Sequence, residues 1–289
     1  MTAPVMTAAD LTELHELLDG VLRAVCGICD RHGLRYTLYC GTLLGSIRHG
    51  GFIPWDDDMD LAMPLRDYRR FLEIAPGELP DVYELQHLGN TDEYFRLWAR
   101  VCINGTTAME RKYANVDIHH GVFLDIYPFI GAAPTALGLR LQTAELKAVH
   151  TLRGLEHWRQ DKRKGIIVLR TLLGLIPFRI RRRLADRLLR RAMRDPDRCA
   201  RVCTLDAAPF EAKFDWADWQ DFTLGSFDGE QYAIPVHYDK LLRRMYGDYM
   251  TLPPPEQRYT HFGNAEQIVF DLHRDYREYR ARILAGETI

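Results

Sequence analysis

Apolar residues recur every three or four positions from Leu11 to Ile28 (Leu11, Leu14, Leu17, Leu18, Val21, Leu22, Val25, Ile28), which predicts an amphipathic helix over 8–32 stopped by Gly33. The period then changes. Leu34 to Cys40 is a short aromatic and apolar run that reads as a strand, and Leu43 to His49 reads as a short helix. After a loop with paired glycines and Pro54, Asp58 to Met63 alternates acidic and apolar residues with the period of a strand. Arg66 to Ile74 returns to a helical pattern. Tyr83 to Leu88 and Tyr94 to Ile103 read as strands, and Asn104-Gly105 predicts a hairpin turn into Thr106 to Glu110. His119 to Phe129 is a buried-strand pattern broken by one carboxylate, Asp125. Pro134 to about Cys203 reads as helical. Further on come an aromatic stretch (Phe214 to Phe222), turn-prone Gly225 and Asp228-Gly229, a helix from Tyr238 to Met245, and a charged final helix from Glu266 to Leu284. Strands and helices in irregular succession predict an α+β fold with a mixed-sheet core, a helical insert and a helical C-terminal part.

The acidic stretch carries the chemistry. Asp56, Asp57, Asp58 and Asp60 fall within five positions. In a strand, Asp58 and Asp60 share a face about 7 Å apart while Met59, Leu61 and Met63 face the core. Two carboxylates that close repel strongly in a low dielectric, and a hard divalent ion with oxygen ligands offsets the repulsion. The clean alternation of Asp58-Met59-Asp60-Leu61 places the metal pair on Asp58 and Asp60. An acidic surface turn after Pro54 is the alternative. Upstream, Gly41-Thr42 opens a helix, where free backbone N–H groups and the Thr42 hydroxyl present donors to an anion such as a phosphate. A lone carboxylate in an apolar strand costs several kcal/mol unless it is paired or metal-bound, so Asp125 is either a third ligand or half of a buried salt bridge. Arg48, His49 and Arg100 are candidates for phosphate contacts, since arginine binds two phosphate oxygens at once. His119 and His120 read as loop residues before the strand.

A glycine-threonine cradle followed by a carboxylate pair resembles the nucleotidyltransferase (polymerase-β-like) superfamily. More narrowly, Gly41 to Asp60 (G-T-L-L-G-S-I-R-H-G-G-F-I-P-W-D-D-D-M-D) resembles the LicD family of phosphocholine-type transferases, which includes the fukutin-related proteins. His119 to Pro128 and the tail from Tyr246 to His261 (Tyr-Gly-Asp-Tyr, a proline-rich turn, then a histidine) resemble the same family. The resemblance covers about two thirds of the chain, with the basic helical insert matched least. It implies a polymerase-β-like core over 1–133, a basic helical subdomain over 134–203 and a C-terminal segment over 204–289 that packs back on the core. It further implies an enzyme moving phosphocholine, or ribitol or glycerol phosphate, from a CDP-activated donor (CDP-choline in the first place) to a glycan or glycolipid acceptor. Mg²⁺ or Mn²⁺ would sit on Asp58, Asp60 and Asp125, with Asp125 nearest the acceptor and His261 at the substrate. A nucleotidyltransferase that transfers an NMP and a D-x-D glycosyltransferase are the enzymatic alternatives. A non-catalytic adaptor is the third reading, and it predicts no cation binding at the acidic strand.

Composition alters this picture in one region. Hydrophobic content of 47%, charged content of 27% and a net charge of −2 over 289 residues are those of an ordinary globular chain. Between Arg159 and Arg194, however, thirteen basic residues face only Asp161 and Asp186. They flank an interrupted apolar run, Gly165 to Phe178, too short to span a bilayer. That combination fits a monotopic element on an anionic leaflet. Nucleic-acid binding would need aromatic residues interleaved with the arginines as stacking platforms, and these are lacking. With no basic-then-apolar leader at the N-terminus, the expected location is cytoplasmic, peripheral on the inner face of the membrane. Cys26-x-x-Cys29 lies within the first helical stripe, and Cys199-x-x-x-Cys203 is the other close pair. Core filling accounts for the first better than zinc does.

Overall fold

A computed structural model describes residues 7–155, 164–205, 214–258, 260–264, 266–287 and 289. Of the basic residues noted above, Arg159, Lys162 and Arg163, with Asp161, lie outside the described residues. Helix α1 (Ala8–Arg31) starts at a capping box, in which the Asp10 amide donates to Thr7 Oγ1 and the Thr7 amide to the Asp10 carboxylate. Its stripe from Leu14 to Ile28 is buried except for half-buried Leu17, together with Cys26 and Cys29, so both cysteines are core residues. Gly33 ends it with φ +62°.

The predicted strand at 34–40 contracts to β1 (Thr37–Leu38), because the next helix begins earlier than its hydrophobic pattern indicates. Helix α2 (Cys40–His49) starts at Cys40, a non-glycine residue with φ +43°. The Tyr39 amide still pairs with the Asp60 carbonyl, so the chain swings from strand to helix within one residue. Strand β2 (Asp60–Pro64) follows, then α3 (Leu65–Ile74), β3 (Tyr83–Gln86), β4 (Ala99–Ile103), β5 (Thr107–Glu110) and β6 (Phe123–Gly131). Helices α4 (Ala136–Arg153), α5 (Lys164–Gly174) and α6 (Phe178–Ala192) precede β7 (Arg201–Cys203) and β8 (Phe214–Asp215). The chain ends with β9 (Phe222–Phe227), β10 (Glu230–Pro235), α7 (Tyr238–Tyr246), β11 (Ile268–Asp271) and α8 (Tyr276–Leu284).

The main sheet runs β1-β2-β6-β4-β3, with β7 pairing β6 and β8 extending from β7. Only β2 and β6 are parallel neighbours, and the other pairs are antiparallel. The fold is thus α+β on a mixed sheet. One face of the sheet packs Leu61, Met63, Leu124, Ile126 and Val101 into the large core under α1. The other carries Tyr39, Ala62, Tyr127 and Phe129 against Trp216 and Trp219.

Two predicted elements are corrected. Asn104-Gly105 does turn, with Gly105 at φ +79°, but it makes no β4–β5 hairpin. The Ile103 amide donates to the Val122 carbonyl and the Ala108 amide to the His120 carbonyl, so the segment before β6 occupies that edge and β5 pairs with β11 instead. For the same reason the predicted helix from Glu266 splits: Ile268-Val269-Phe270 supplies the partner strand β5 lacks, and α8 begins only after the Asp275 cap.

The loop between α2 and β2 is held by close backbone approach. A Cβ at Gly45 would lie 2.4 Å from the Gly51 carbonyl oxygen, and Gly51 in turn lies against Asp228 at the tip of the β9–β10 hairpin. Gly45→Ala should therefore cost about 1–3 kcal/mol by forcing backbone apart. Gly77→Ala, which meets open space, should stay within about 0.5 kcal/mol of the parent. Denaturant titration of the two variants compares them directly, and equal stabilities would mean that the 50–55 loop gives way freely.

Candidate active site

The site lies where the carboxyl end of β1, the N-terminus of α2, the 56–59 loop and the facing strands β2, β6 and β4 meet. Asp58 is not in a strand, because β2 begins only at Asp60. The alternation expected from Asp58 fails at Asp57, which is drawn inward to 0% exposure. There Asp57 accepts from the Phe262 amide at 2.5 Å and sits 3.0 Å from His261 Nδ1. Asp57 therefore fastens the C-terminal segment to the acidic loop. His261 also comes within 3.8 Å of Asp58. One ligand atom from each of Asp56, Asp57, Asp58 and His261 falls within 4.8 Å of the others, a group of the size that holds a cation.

Asp60 and Asp125 are exact register partners on the parallel strands β2 and β6, and Asp125 is register partner to Arg100 on β4. Paired positions project to the same face, so Asp60, Asp125 and Arg100 form a row across three strands. Arg100 grips Asp125 with two bonds, Nε to Oδ1 at 2.6 Å and a second guanidinium nitrogen to Oδ2 at 3.1 Å. Both side chains are nearly sealed from solvent, and the guanidinium lies 3.4 Å over the Phe123 ring. Burial alone would lower the Arg100 pKa, and Asp125 more than reverses this, leaving it raised. Of the two roles open to Asp125 from the sequence, the buried salt bridge, which was the alternative to a third ligand, is the one present. Asp58 stands close enough to feel Asp125 and Arg100, and so joins the acidic loop to the row.

Charge crowding shows in the titration of the loop. Burial first, then Asp58 and Asp57, push the Asp56 carboxyl from 3.8 to about 8. Asp58 is pushed to about 6, again by burial, with Asp57 and Asp125 adding to it and His261 opposing. His261 is raised from 6.5 to about 9, chiefly by its hydrogen bond to Asp57.

Gly41 and Thr42 lie inside the first turn of α2, where amides have no intrahelical acceptor. A Cβ on Gly41 would sit 2.6 Å from an Asp56 oxygen, so glycine is needed there for the acidic loop itself. Thr42 Oγ1 accepts from the Asp60 amide at 2.8 Å, which locks helix to strand. Arg48 donates to the Tyr249 carbonyl at 2.7 Å and lies near Arg258, whose guanidinium stacks 4.9 Å over Trp55. His49 meets the edge of the same Trp55. Arg258 and Asp56 are site residues that sequence reasoning passed over. Arg258 stood within the proline-rich turn already singled out, and Asp56 was set aside because the alternation began at Asp58.

Elsewhere, His119 and His120 are buried away from the acidic group. Burial lowers their pKa values to about 4 and about 3, and Nε2 of each ring has a local partner, Asn104 for His119 and the Val116 carbonyl for His120. Trp55, Trp98, Tyr127 and Trp216 do not converge. Trp98 and Tyr127 pack as tilted rings with centroids 5.0 Å apart beside Asp125, while Trp216 is buried against Phe129. Tyr249 is buried, donating to Asp239, and Tyr246 is exposed with its hydroxyl bonded to Cys40.

Comparison with known proteins bears on this region. Residues 33–137 match the family model described as LicD/FKTN/FKRP, nucleotidyltransferase domain. The chain is 26% identical over 260 residues to the lipopolysaccharide cholinephosphotransferase LicD of Haemophilus influenzae, covering 81% of this chain and 89% of that protein. It is 51% identical over 109 residues to the human ribitol 5-phosphate transferase FKRP, covering 37% of this chain and 19% of that protein. It is also 28% identical over 122 residues to the mannosyltransferase regulator 4 of Saccharomyces cerevisiae, covering 40% of this chain and 10% of that protein. The chain therefore spans about a fifth of the length of the FKRP relative.

Two outcomes follow from this geometry. Asp125→Asn should cost about 3–5 kcal/mol by leaving the Arg100 charge buried without its partner. The double change Asp125→Leu with Arg100→Met should recover most of that stability in chemical unfolding. An unaltered midpoint in Asp125→Asn would show that the pair holds nothing together. The second outcome is a pH dependence. Asp56, Asp58 and His261 each bind a proton more tightly folded than unfolded, so folding takes up protons. Without cations, stability should fall as pH rises, from 3.8 to about 8 through the carboxyls. The His261 contribution, complete below 6.5, should disappear as pH passes about 9. Adding Mg²⁺ should flatten the fall, read as melting temperature with and without chelator. A melting temperature that climbs with pH in chelator contradicts the charge crowding.

Proposed function

Because residues 33–137 match the LicD/FKTN/FKRP nucleotidyltransferase-domain model, we propose that this protein transfers a phospho-alcohol from a CDP-activated donor to a hydroxyl of a glycan or glycolipid. The phospho-alcohol would be phosphocholine, or ribitol or glycerol phosphate. The observation that carries the reading is the meeting of the acidic loop with the Asp60–Asp125–Arg100 row beneath the first turn of α2. Two relatives bear names with this chemistry, a cholinephosphotransferase and a ribitol 5-phosphate transferase. The mixed sheet, with an acidic loop and strand facing a second acidic strand, is also what a polymerase-β-like core would supply.

The residues fit a divalent cation. Asp56 and Asp58 are hydrogen-bonded to each other with raised pKa values, as crowded carboxyls are when no cation offsets their charge. Asp58, Asp60 and Asp125 would hold Mg²⁺ or Mn²⁺, with Asp56 and His261 flanking Asp58. When bound, the ion would neutralise phosphate charge and favour departure of CMP.

The chain's own groups account for the rest. Displacement at phosphorus demands alignment and charge neutralisation more than covalent catalysis. The first-turn amides at Gly41 and Thr42 present donors to a phosphate, and Arg48 and Arg258 bring two guanidinium groups to the side of Asp56. As the acceptor oxygen bonds to phosphorus and the bond to the CMP oxygen breaks, the acceptor proton needs a base. Asp125 can take it only if Arg100 releases one of the two oxygens it holds.

Product identification tests the proposal. Incubation with CDP-choline, CDP-ribitol or CDP-glycerol and Mg²⁺ should release CMP. Pyrophosphate from a nucleoside triphosphate would indicate NMP transfer, and UDP from a UDP-sugar would indicate a glycosyltransferase. Asp58→Asn should reduce turnover by about a hundredfold or more while the protein stays folded. Parental rates in Asp58→Asn would remove the acidic loop from the reaction.

A further inference from the structure

Helix α5 is composed largely of apolar residues, yet none of its residues whose side chains are described is buried. Ile167, Val168, Leu169 and Leu172 are exposed, Val168 at 58% and Leu172 at 59%, and Leu175 just beyond the helix is 77% exposed. Val168, Leu172 and Leu175 stand four and three positions apart and so share one stripe. Three residues past the end of α5, Pro177 opens α6, whose inner face (Arg181, Ala185, Ala192) packs toward α4. Its outer face sets exposed Ile180 and Leu184 among exposed Arg179, Arg183, Arg187 and Arg190, while Arg191 is paired with Glu145 of α4.

The arginines are not equivalent. Arg181 is buried, donating to the Ile176 and Leu152 carbonyls, and Arg182 is bound to Asp92. Both serve the fold. The single acidic residue of α6, Asp186, is engaged inward with Arg153. The outer face of α6 is therefore basic and apolar without an acidic group.

We propose that α5 and the outer face of α6 seat this protein on an anionic lipid surface. A lipid leaflet offers both complements together, an apolar layer for Val168, Leu172 and Leu175 and phosphates for the arginines, whose stems cross the boundary. At eleven residues α5 is about 16 Å long, half of a bilayer core, so it lies in the interface plane. Among the described residues no helix is long and apolar enough to cross a membrane. The surface stands apart from the transferase reading, and neither depends on the other.

Co-sedimentation with vesicles tests it. The protein should pellet with mixed phosphatidylcholine–phosphatidylglycerol vesicles, pellet far less with phosphatidylcholine alone, and be released by salt. Arg183→Ala with Arg187→Ala should weaken binding roughly thirtyfold. Val168→Asp with Leu172→Asp should weaken it at least about tenfold. Leu224→Asp, an equally exposed apolar position on β9, should not change it. All these positions are exposed, so each variant should melt with the parent. Failure of the parent to pellet overturns the proposal, and so does equal binding by all variants. A labelled RNA retained by the parent and lost in the arginine variants, without vesicle binding, would assign the face to nucleic acid instead. A dimer that Leu172→Asp dissociates, again without vesicle binding, would assign it to a second copy.

Discussion

Mutual repulsion of carboxylates is the constraint around which this molecule is arranged. Asp56, Asp57, Asp58, Asp60 and Asp125 come together in a region where burial weakens the screening of charge. Four of them are answered in three ways. Asp57 has the Phe262 amide and His261, Asp125 has the Arg100 fork, and Asp56 and Asp58 face each other with raised pKa values. The first is a fixed part of the fold, and the second would have to loosen before Asp125 could serve a cation or a proton. The third is the one a cation would replace.

These answers come from distant parts of the chain, and that ties the acidic site to the whole fold. His261 and Phe262 lie more than two hundred positions after Asp57. Gly51 needs the β9–β10 hairpin tip against it, and Arg48 is anchored on the Tyr249 carbonyl. The C-terminal third is therefore a structural wall of the acidic loop. Strand β11 completes β5 on the far side, so the same segment that closes the site also covers an open strand edge.

The helices α4 to α6 follow a different logic. Their inner contacts use buried polar groups: Gln142 bonds to Gly131 and Ala192, Arg153 to Leu88 and Asp186, and Arg181 to Leu152. Their outer surface is apolar and basic together. A transferase acting on a lipid-linked acceptor would gain from such a surface, since binding in a plane raises the effective concentration of one substrate at the other.

Helix α1, helix α3 and the central strand β6 were legible in the sequence because each has one apolar face or run long enough to fix its period. The crowding of the acidic loop and the need of Asp125 for a partner were legible for a chemical reason, since charge in an apolar setting requires a partner. The rest was decided in three dimensions. Whether Asn104-Gly105 makes a hairpin depends on which edge Val122 and His120 occupy, and no local pattern records that. The helix at Glu266 became a strand because β5 lacked a neighbour. Asp58 left the strand because Asp57 is drawn to His261 and Phe262, and Arg181 proved structural where Arg183 is exposed. Local periodicity fixes which residues can be inside. Which distant backbone edge or charge meets them is set only when the chain closes on itself.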